Sequence, residues 1–435
     1  LAEPGTLYYP GPDISLQARY RSIFGSDQWS LCGITHTTAS SFVMDSISQW
    51  LTAPTQPWDA IICPSEAVKS NVEKILEAEF AYLEQRLGVT RRVMPQLPVI
   101  PLGIHTADFQ YSANDKVESR IKLGIPTDAI AVLYVGRLSF HAKAHPLAMY
   151  QALSNVAAVT GKHIHLIECG WHNNDYIKEA FGQASKAVCP NVTVTNLDGR
   201  DAVLRNQAWA AADIFCSLSD NIQETFGITP LEAMAAGLPV VVSDWNGYRS
   251  MVRDGEDGYR IPTIMPQAGF GADLANRHAL KIDSYDMYCG FSSAFVSVDI
   301  AAVTKALVNL VQSDDLRKAF GEAGRKRVQT LGDWRVIIDQ YESLWESLRE
   351  IRLRERAHFE EPRVRWPARM DPFEAFSGYP TAHLSVDQVF VRVDVSDGAL
   401  QSRIKQLFDL EMVKYVKAIW PTNDALQRIL EKCPE

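Results

Sequence analysis

The sequence predicts an α/β protein built on parallel sheets, and two observations lead to this prediction. First, short apolar runs alternate with longer helical segments, and such runs are typical of parallel strands that are buried on both faces. Second, residues 212–259 contain a complete strand–loop–helix–strand unit, around which the rest of the chain is organised. A unit of this kind is the repeating element of an open parallel sheet.

The central unit begins with the apolar run ADIFCSL and continues through the polar loop SDNIQETFG. Thr229 is the predicted N-cap of the next helix, with Pro230 at its first position and Glu232 completing a capping box. Gly237 is predicted to end this helix, and LPVVVSD then forms a second buried strand. The loop and the helix start therefore lie at the carboxyl end of a strand, where open α/β sheets bind their ligands.

Two acidic residues flank this helix start. Backbone N–H groups and the positive end of the helix dipole suit a phosphate, whereas the carboxylates of Glu224 and Glu232 suit the hydroxyl groups of a sugar. A nucleotide sugar carries both kinds of group. Glu232 has an alternative role, because a capping box with Thr229 would occupy its carboxylate.

The segment ETFGITPLEAMAAGLPVV resembles the E-x7-E segment of the retaining glycosyltransferases of family 4, which have the two-domain GT-B fold. The resemblance extends from about Cys32 to Tyr341. It implies that Glu224 contacts the donor sugar beside the reacting carbon and that Glu232 holds the ribose hydroxyls. It also implies backbone contacts to the sugar and phosphate, made by Phe226, Gly227 and Ile228.

Residues 1–110 are predicted to form a Rossmann-like N-terminal domain on the acceptor side. Three strands are expected: one that ends at His36, one from Ala60 to Cys63, and one within LPVIPLGIHTADF. Ser65 is the predicted N-cap of the helix that follows the second strand. The first strands and the glycine-rich turn of the family are not visible upstream. We therefore expect this domain to be incomplete in the present chain.

The polar TxT setting of His36, at the end of a predicted strand, allows two interpretations. The resemblance implies that His36 faces the cleft and contacts the donor sugar or the acceptor. The alternative is a histidine that only satisfies local hydrogen bonds at a strand end. The sequence favours the first interpretation only in the context of the family.

Residues 111–333 are predicted to form the second Rossmann-like domain, which binds the nucleotide sugar. Its first strand, AIAVLYVG, leads into a loop that carries Arg137 and Lys143. A guanidinium and an ammonium at a strand end can clamp a diphosphate, and the resemblance implies this role; the alternative is two solvated surface cations. By position, the loops near Trp171 and Asp198 are expected to line the pocket for the base and ribose.

Three further regions follow the second domain. A long helix, 334–358, is expected to brace the domains through an apolar stripe formed by Trp334, Ile337, Ile338, Tyr341, Leu344, Trp345 and Leu348. Residues 359–382 are a Pro/Arg-rich linker, and 383–435 are a small α/β extension with a predicted strand at 388–395. The arginines within residues 349–369 could contact a membrane surface. The glutamates interleaved with them favour the alternative, a solvated helix of balanced charge.

Composition narrows the class of protein further. The formal charge of −9 argues against a nucleic-acid binder, and no apolar run is long enough for a membrane span. The seven cysteines are scattered without a C-x-x-C pair, which predicts reduced thiols and a cytoplasmic location. The first residues, LAEPGTLYY, do not have the pattern of a signal peptide.

These observations lead to one expected function and two alternatives. The resemblance implies a retaining, hexosyltransferase-like glycosyltransferase that uses no metal and no cofactor and takes a UDP- or GDP-sugar as donor. Its acceptor would be a glycan, a lipid-linked molecule or a small molecule. The alternatives are a donor-binding but catalytically silent GT-B regulator or assembly partner, and a nucleotide-sugar epimerase.

Overall fold

The computed structural model describes residues 5–390 and 397–432. The chain divides into two compact units, Leu1–Trp366 and Pro367–Glu435. Within the first unit, two parallel sheets form the centres of an N-terminal lobe and a C-terminal lobe.

A three-stranded parallel sheet forms the centre of the N-terminal lobe, in the order β1-β2-β3. Its elements are β1 (Thr6–Tyr8), α1 (Ser15–Phe24), β2 (Ser30–Ile34), α2 (Ser41–Ser48), a 3-10 turn (Gln49–Leu51), β3 (Ala60–Ile62) and α3 (Glu66–Leu87). Ser65 caps α3 as predicted, since its Oγ accepts a hydrogen bond from the Val68 N–H at 3.3 Å. The strand predicted to end at His36 ends two residues earlier, at Ile34.

The strand predicted after α3 is reduced to isolated bridges. Residues 96–99 run parallel to β3, with the Ile61 N–H donating to the Gln96 carbonyl and the Cys63 N–H donating to the Pro98 carbonyl. Prolines at positions 98 and 101 have no N–H group to donate, so this stretch does not form a continuous ladder.

The C-terminal lobe contains a six-stranded parallel sheet in the order β6-β5-β4-β7-β8-β9. Its strands are β4 (Ile130–Val135), β5 (Ile164–Gly170), β6 (Thr193–Asp198), β7 (Ile214–Ser217), β8 (Val240–Ser243) and β9 (Gly258–Ile261). The chain winds outward from β4 in one direction and from β7 in the other. This doubly wound order places a topological switch point between β4 and β7, where a crevice for ligands opens.

Helices cover both faces of the larger sheet. They are α4 (Ala113–Leu123), α5 (Leu147–Thr160), α6 (Asp175–Val188), α7 (Ala202–Ala211), α8 (Ile228–Ala235), α9 (Tyr248–Met251), α12 (Ile300–Gln312) and α13 (Asp314–Leu331), with a 3-10 turn at Thr106–Phe109. Between β9 and α12 lie β10 (Thr263–Ile264), α10 (Ala272–Ala279), α11 (Tyr285–Ser293) and β11 (Ser297–Val298). Alternate residues of each strand enter two separate apolar cores, one on each face, as expected for strands buried on both sides.

The long helix α14 (Trp334–Glu355) packs on the smaller sheet, and a 3-10 turn (Arg356–His358) follows it. Ile337, Tyr341 and Leu348 are buried against residues of β2 and β3. The prediction that the apolar stripe packs in a core is therefore confirmed for these three residues. It is wrong for Ile338, whose side chain is 45% exposed. Because α14 follows the C-terminal lobe in sequence and packs on the N-terminal one, it connects the two lobes.

The second unit is helical in its described residues. It contains a 3-10 turn (Pro367–Arg369), α15 (Pro372–Ala375), α16 (Asp397–Phe408), α17 (Glu411–Lys414), a second 3-10 turn (Lys417–Ile419) and α18 (Asn423–Lys432). The sequence predicts a strand at 388–395. Residues 388–390 do not pair with any strand, and residues 391–395 lie outside the described residues. No helix in the part of the chain that the structure describes has the length and apolar character to cross a membrane.

Six of the seven cysteines are free and buried, in line with the expectation of reduced thiols. The seventh, Cys433, lies outside the described residues. Burial raises the pKa of the thiols of Cys63 and Cys216 to about 12, so neither forms a thiolate near neutral pH.

A fully buried ion pair organises the N-terminal lobe. Asp59 accepts two hydrogen bonds from the Arg21 guanidinium, at 2.6 and 2.8 Å, and two more from the backbone N–H groups of Leu31 and Gln56, both at 2.8 Å. Both side chains are inaccessible to solvent. Removing one member would therefore leave an uncompensated charge in the interior.

We expect Asp59→Ala to lower the free energy of unfolding by about 3–5 kcal/mol, because Arg21 would remain buried without its partner. Urea unfolding followed by circular dichroism measures this change. Glu118→Ala is the matched control, since it removes a pair with Lys122 in which both side chains are more than half exposed, and it should change stability by less than about 1 kcal/mol. Equal losses in the two variants would contradict the argument.

Candidate functional site

The candidate site lies at the switch point between β4 and β7. The loop after β4 (136–146) and the loop after β7 (218–227) meet there, and the ends of β2 and β3 approach from the N-terminal lobe. Both lobes therefore contribute to one crevice.

The helix of the central unit begins two residues earlier than predicted. Helix α8 starts at Ile228, and its N-cap is Gly227 with φ of +88°. The prediction of Thr229 as N-cap and of a capping box with Glu232 is therefore wrong. Pro230 is therefore at the third helical position instead of the first, where it is tolerated because the first N–H groups of a helix have no partner within it.

Gly227 is required at this N-cap for two reasons. Its positive φ is unfavourable for other residues, and a Cβ at this position would clash with the ring of Tyr248. Tyr248 is itself fixed, since it is buried and its hydroxyl lies 3.1 Å from Ser217 Oγ at the end of β7. Packing of Tyr248, the first residue of α9, against the end of β7 therefore determines where α8 begins.

Glu232 has no capping role, and its carboxyl lies half-buried on α8. Burial raises its pKa to about 7, while the charge of Arg205 opposes that shift. The Glu232 charge in turn contributes to raising the pKa of Tyr111 to about 12, after the larger effect of burial. A half-buried carboxyl without a structural hydrogen-bonding role is consistent with a group that accepts hydrogen bonds from a ligand.

The structure brings Glu224 and Lys143 together as an ion pair. Lys143 Nζ lies 2.6 Å from Glu224 Oε2, and the carboxylate is 6% exposed whereas the ammonium is 28% exposed. The second carboxylate oxygen accepts from the Thr225 N–H at 3.2 Å. Glu224 is thus held by two partners, and the Lys143 side chain beside it remains partly exposed.

Arg137 lies next to this pair but is held by uncharged acceptors. Its Nη2 donates to Gln223 Oε1 at 2.8 Å and to the Ala142 carbonyl at 3.1 Å. Neither acceptor cancels the charge of the guanidinium. Arg137 and Lys143 therefore place two cations at the end of β4 near the start of α8, the arrangement that a diphosphate requires.

Asn221 and Asp220 fix the 218–227 loop against the 136–146 loop. The Asn221 side chain donates to the His141 carbonyl at 2.9 Å, and its own carbonyl accepts from the Trp245 indole at 3.0 Å. The buried Asp220 carboxylate accepts from the His145 N–H at 3.3 Å. Burial raises the pKa of Asp220 to about 7.

His36 approaches the same loop from the N-terminal lobe. Its ring is exposed, with Nε2 lying 3.3 Å from the Pro10 carbonyl. Its backbone carbonyl accepts a hydrogen bond from the hydroxyl of Thr225, the residue after Glu224. The structure thus places His36 beside the loop that carries the ion pair, with its imidazole accessible.

The three residues at the start of α8 differ in their surroundings. The Phe226 side chain is 2% exposed and belongs to the core, whereas Ile228 is 39% exposed at the crevice. Neither side chain is placed to hydrogen-bond a ligand, so any contact with phosphate must come from the backbone N–H groups, as the sequence predicted. The first N–H groups of an α-helix are free for this purpose.

Two residues that hold the Glu224 loop at the interface between the lobes, Asn246 and Ser65, were not predicted as site residues from the sequence. Asn246 has φ of +44°, donates to the Glu224 carbonyl at 2.5 Å and accepts from Ser65 Oγ at 3.1 Å. Ser65 also donates to the Thr225 carbonyl at 2.9 Å. The dipeptide Asn246-Gly247 was the available signal, since Asn-Gly marks a turn with positive φ.

The loops after β5 and β6 line an open cleft beside this site. Trp171 and Asp198 are both part of its lining, along with Leu138 and Arg200, and its volume is ≈ 450 Å³. Asp198 accepts from the Arg200 guanidinium at 2.7 Å. The two loops that the resemblance assigned to the base and ribose therefore share one cleft, whose size suits a small ligand.

Comparison with known proteins supports the resemblance. Residues 115–268 match the family model described as glycosyl transferases group 1. A phosphatidyl-myo-inositol mannosyltransferase of Mycobacterium leprae is 34% identical over 142 residues, which are 32% of this chain and 28% of that protein. The same-named protein of Mycobacterium tuberculosis H37Rv is 26% identical over 57% of this chain and 53% of its own length. This chain therefore spans about half or less of the length of these relatives.

Two solved structures of glycosyltransferase folds resemble this chain over most of its length. Sucrose-phosphate synthase from Thermosynechococcus elongatus superposes with a TM-score of 0.50 at 18% identity, covering 79% of this chain and 73% of that one. Anabaena Alr3699/HepE in complex with UDP and glucose superposes with a TM-score of 0.52 at 15% identity, covering 79% of this chain and 78% of that one. The fold is GT-B. The expected resemblance to glycosyltransferases with this fold is therefore confirmed.

The raised pKa of Asp220 has a consequence for stability in the GT-B crevice. A carboxyl with a raised pKa in the folded protein favours folding only while it is protonated, so its contribution is lost as the pH rises from about 4 to about 7. Asparagine does not titrate. We expect the melting temperature of Asp220→Asn, relative to wild type, to increase between about pH 5 and pH 8.

Asp198→Asn is the control for this pH experiment. Its hydrogen bond with Arg200 lowers the pKa of Asp198 to about 2, so the carboxylate stays ionised above about pH 5 in both the folded and the unfolded state. Its melting temperature relative to wild type should not change with pH in this window. A constant offset for Asp220→Asn would show that Asp220 does not titrate as stated.

Proposed function

We propose that this protein is a glycosyltransferase that moves a sugar from a nucleotide-sugar donor to an acceptor hydroxyl. The observation that carries the proposal is the Lys143–Glu224 ion pair, 2.6 Å long, beside Arg137 and at the start of α8. This arrangement provides positive charge for a diphosphate and a carboxylate for sugar hydroxyls within one crevice.

The two cations differ in how they would take up the donor. Arg137 is held by uncharged partners, so its charge is available to the diphosphate without breaking an ion pair. Lys143 must exchange Glu224 for a phosphate oxygen, which leaves the Glu224 carboxylate free to accept hydrogen bonds from the sugar ring. Donor binding would therefore convert one ion pair into two ligand contacts.

In the reaction, Arg137, Lys143 and the N-terminus of α8 stabilise the negative charge on the departing diphosphate. These groups also supply the neutralisation that a metal would otherwise provide, so we propose a metal-independent reaction. The acceptor hydroxyl approaches the anomeric carbon from the face that the diphosphate leaves, which gives retention, and its proton passes to the departing phosphate oxygen. No side chain is assigned as a covalent nucleophile.

The remaining site residues have proposed supporting roles. Glu232, which has no capping role in this structure, holds the ribose hydroxyls from α8. The exposed imidazole of His36 contacts the donor sugar or the acceptor from the N-terminal lobe. Relatives carry the names phosphatidyl-myo-inositol mannosyltransferase and D-inositol 3-phosphate glycosyltransferase. UDP is present in the HepE complexes, which supports a UDP-sugar as donor, with a GDP-sugar as the alternative.

The test is sugar transfer or donor hydrolysis with UDP- and GDP-sugars, in wild type and in Arg137→Ala, Lys143→Ala and Glu224→Gln. Each variant should lose ~10²–10³ of kcat, because each removes a group that stabilises charge or position in the transition state. Lys162→Ala, at an exposed position near the distant end of β5, should retain the wild-type rate. Adding EDTA should leave the wild-type rate unchanged.

Two outcomes would contradict the proposal. Full activity in Arg137→Ala and Glu224→Gln would remove the assigned roles. Tight binding of a nucleotide sugar without turnover of any donor would instead support a catalytically silent binding protein.

A further inference from the structure

The segment between β9 and α12 has no role in the proposed function so far. It forms an insertion, residues 264–299, whose two ends are joined by an antiparallel pair between β10 and β11. It carries α10 and α11, and neither helix contributes much to the core. Helix α10 contains no buried residue, and α11 buries only Cys289 and Ser293.

Helix α11 lies directly against the loop that carries Arg137 and Lys143. A Cβ at Gly290 would lie 2.9 Å from the His141 Cβ, so the helix approaches this loop closely. Asp286 Oδ2 lies 3.8 Å from His141 Nε2, which adds a polar contact one residue after the start of the helix. The insertion is therefore seated on the diphosphate loop.

Tyr285, the first residue of α11, extends from this position to the other lobe. Its hydroxyl lies 3.4 Å from Thr37 Oγ1, next to His36 in the chain. The Tyr285 hydroxyl thus contacts the segment that carries His36, while its helix lies against the loop that carries Arg137 and Lys143.

We propose that Tyr285 is a positioning residue that aligns the N-terminal lobe with the donor-binding lobe. It does so by joining Thr37, the neighbour of His36, to the insertion that lies against the loop of Arg137 and Lys143. The role in transfer rests on the proposed function, whereas the contact between the lobes does not.

The geometry distinguishes this role from ordinary packing. Tyr285 is only half-buried and belongs to no core cluster, so its removal leaves the two sheets intact. Its hydroxyl contact is at the long end for an O–H···O hydrogen bond, and a small closing movement of the lobes would shorten it. The contact should therefore matter most when both lobes engage the substrates.

The first test uses hydrogen–deuterium exchange of the full chain without ligand. Tyr285→Phe should speed exchange of backbone amides in residues 35–40 by up to about fivefold, which corresponds to one ordinary hydrogen bond. Tyr288→Phe is the matched control, because Tyr288 lies on the same helix and stacks on His278 within the insertion at 4.2 Å. Unchanged exchange in Tyr285→Phe would overturn the inference, whether or not the protein transfers sugar.

The second test is a double-mutant cycle on the transfer rate. Tyr285→Phe and Thr37→Val should each lower kcat about fivefold while changing the KM for the donor less than twofold, and the double variant should be no slower than the slower single variant. The positioning role would be overturned if the effects of the two substitutions on kcat multiplied in the double variant, or if the substitutions changed only the KM for the donor. If no donor is turned over by wild type, the proposed function fails, and the exchange experiment alone decides the inference.

Discussion

The ion pair between Lys143 and Glu224 is the interaction on which the candidate site depends. It joins the loop after β4 to the loop after β7, which are the two loops on either side of the topological switch point. A carboxylate that is 6% exposed requires a charged partner, so each loop holds the other in place. The same pair also provides the charge and the acceptor that a nucleotide sugar would need.

Around this pair, the two lobes meet through hydrogen bonds of uncharged groups. Thr225 donates to the His36 carbonyl, Ser65 donates to the Thr225 carbonyl, and Asn246 bridges Ser65 to the Glu224 carbonyl. Such contacts are individually weak and can be exchanged for contacts with water. The arrangement fixes the loop that carries Glu224 while still allowing the lobes to separate when a ligand enters.

Much of the fold could be predicted from the sequence because it depends on local patterns. Apolar runs such as IAVLYV and VVVS predict buried parallel strands, and Ser65 before Glu66 predicts a capped helix. Two errors have a shared cause in tertiary structure. The Tyr248 ring, rather than the Thr229–Glu232 pattern, determines the start of α8, and the exposed Ile338 faces away from the sheet that its neighbours cover.

The parts of the site that could not be predicted are contacts between distant segments. Lys143 and Glu224 are 81 residues apart in the chain, and the sequence indicated each of them separately but not their ion pair. Tyr285 lies in an insertion whose composition carries no chemical signal, and Thr37 is 248 residues away from it in the chain. Side-chain identity alone does not reveal such pairs, because the packing of two lobes determines them.

Calorimetric titration of UDP and GDP into wild type and Lys143→Ala tests the central claim most directly. We expect one nucleotide diphosphate to bind to wild type and Lys143→Ala to bind it about tenfold or more weakly, since one charge-assisted contact of about 1.5–3 kcal/mol is lost. Equal affinity in the two proteins, or no binding of either nucleotide to wild type, would contradict the assignment of this crevice to a nucleotide-sugar donor.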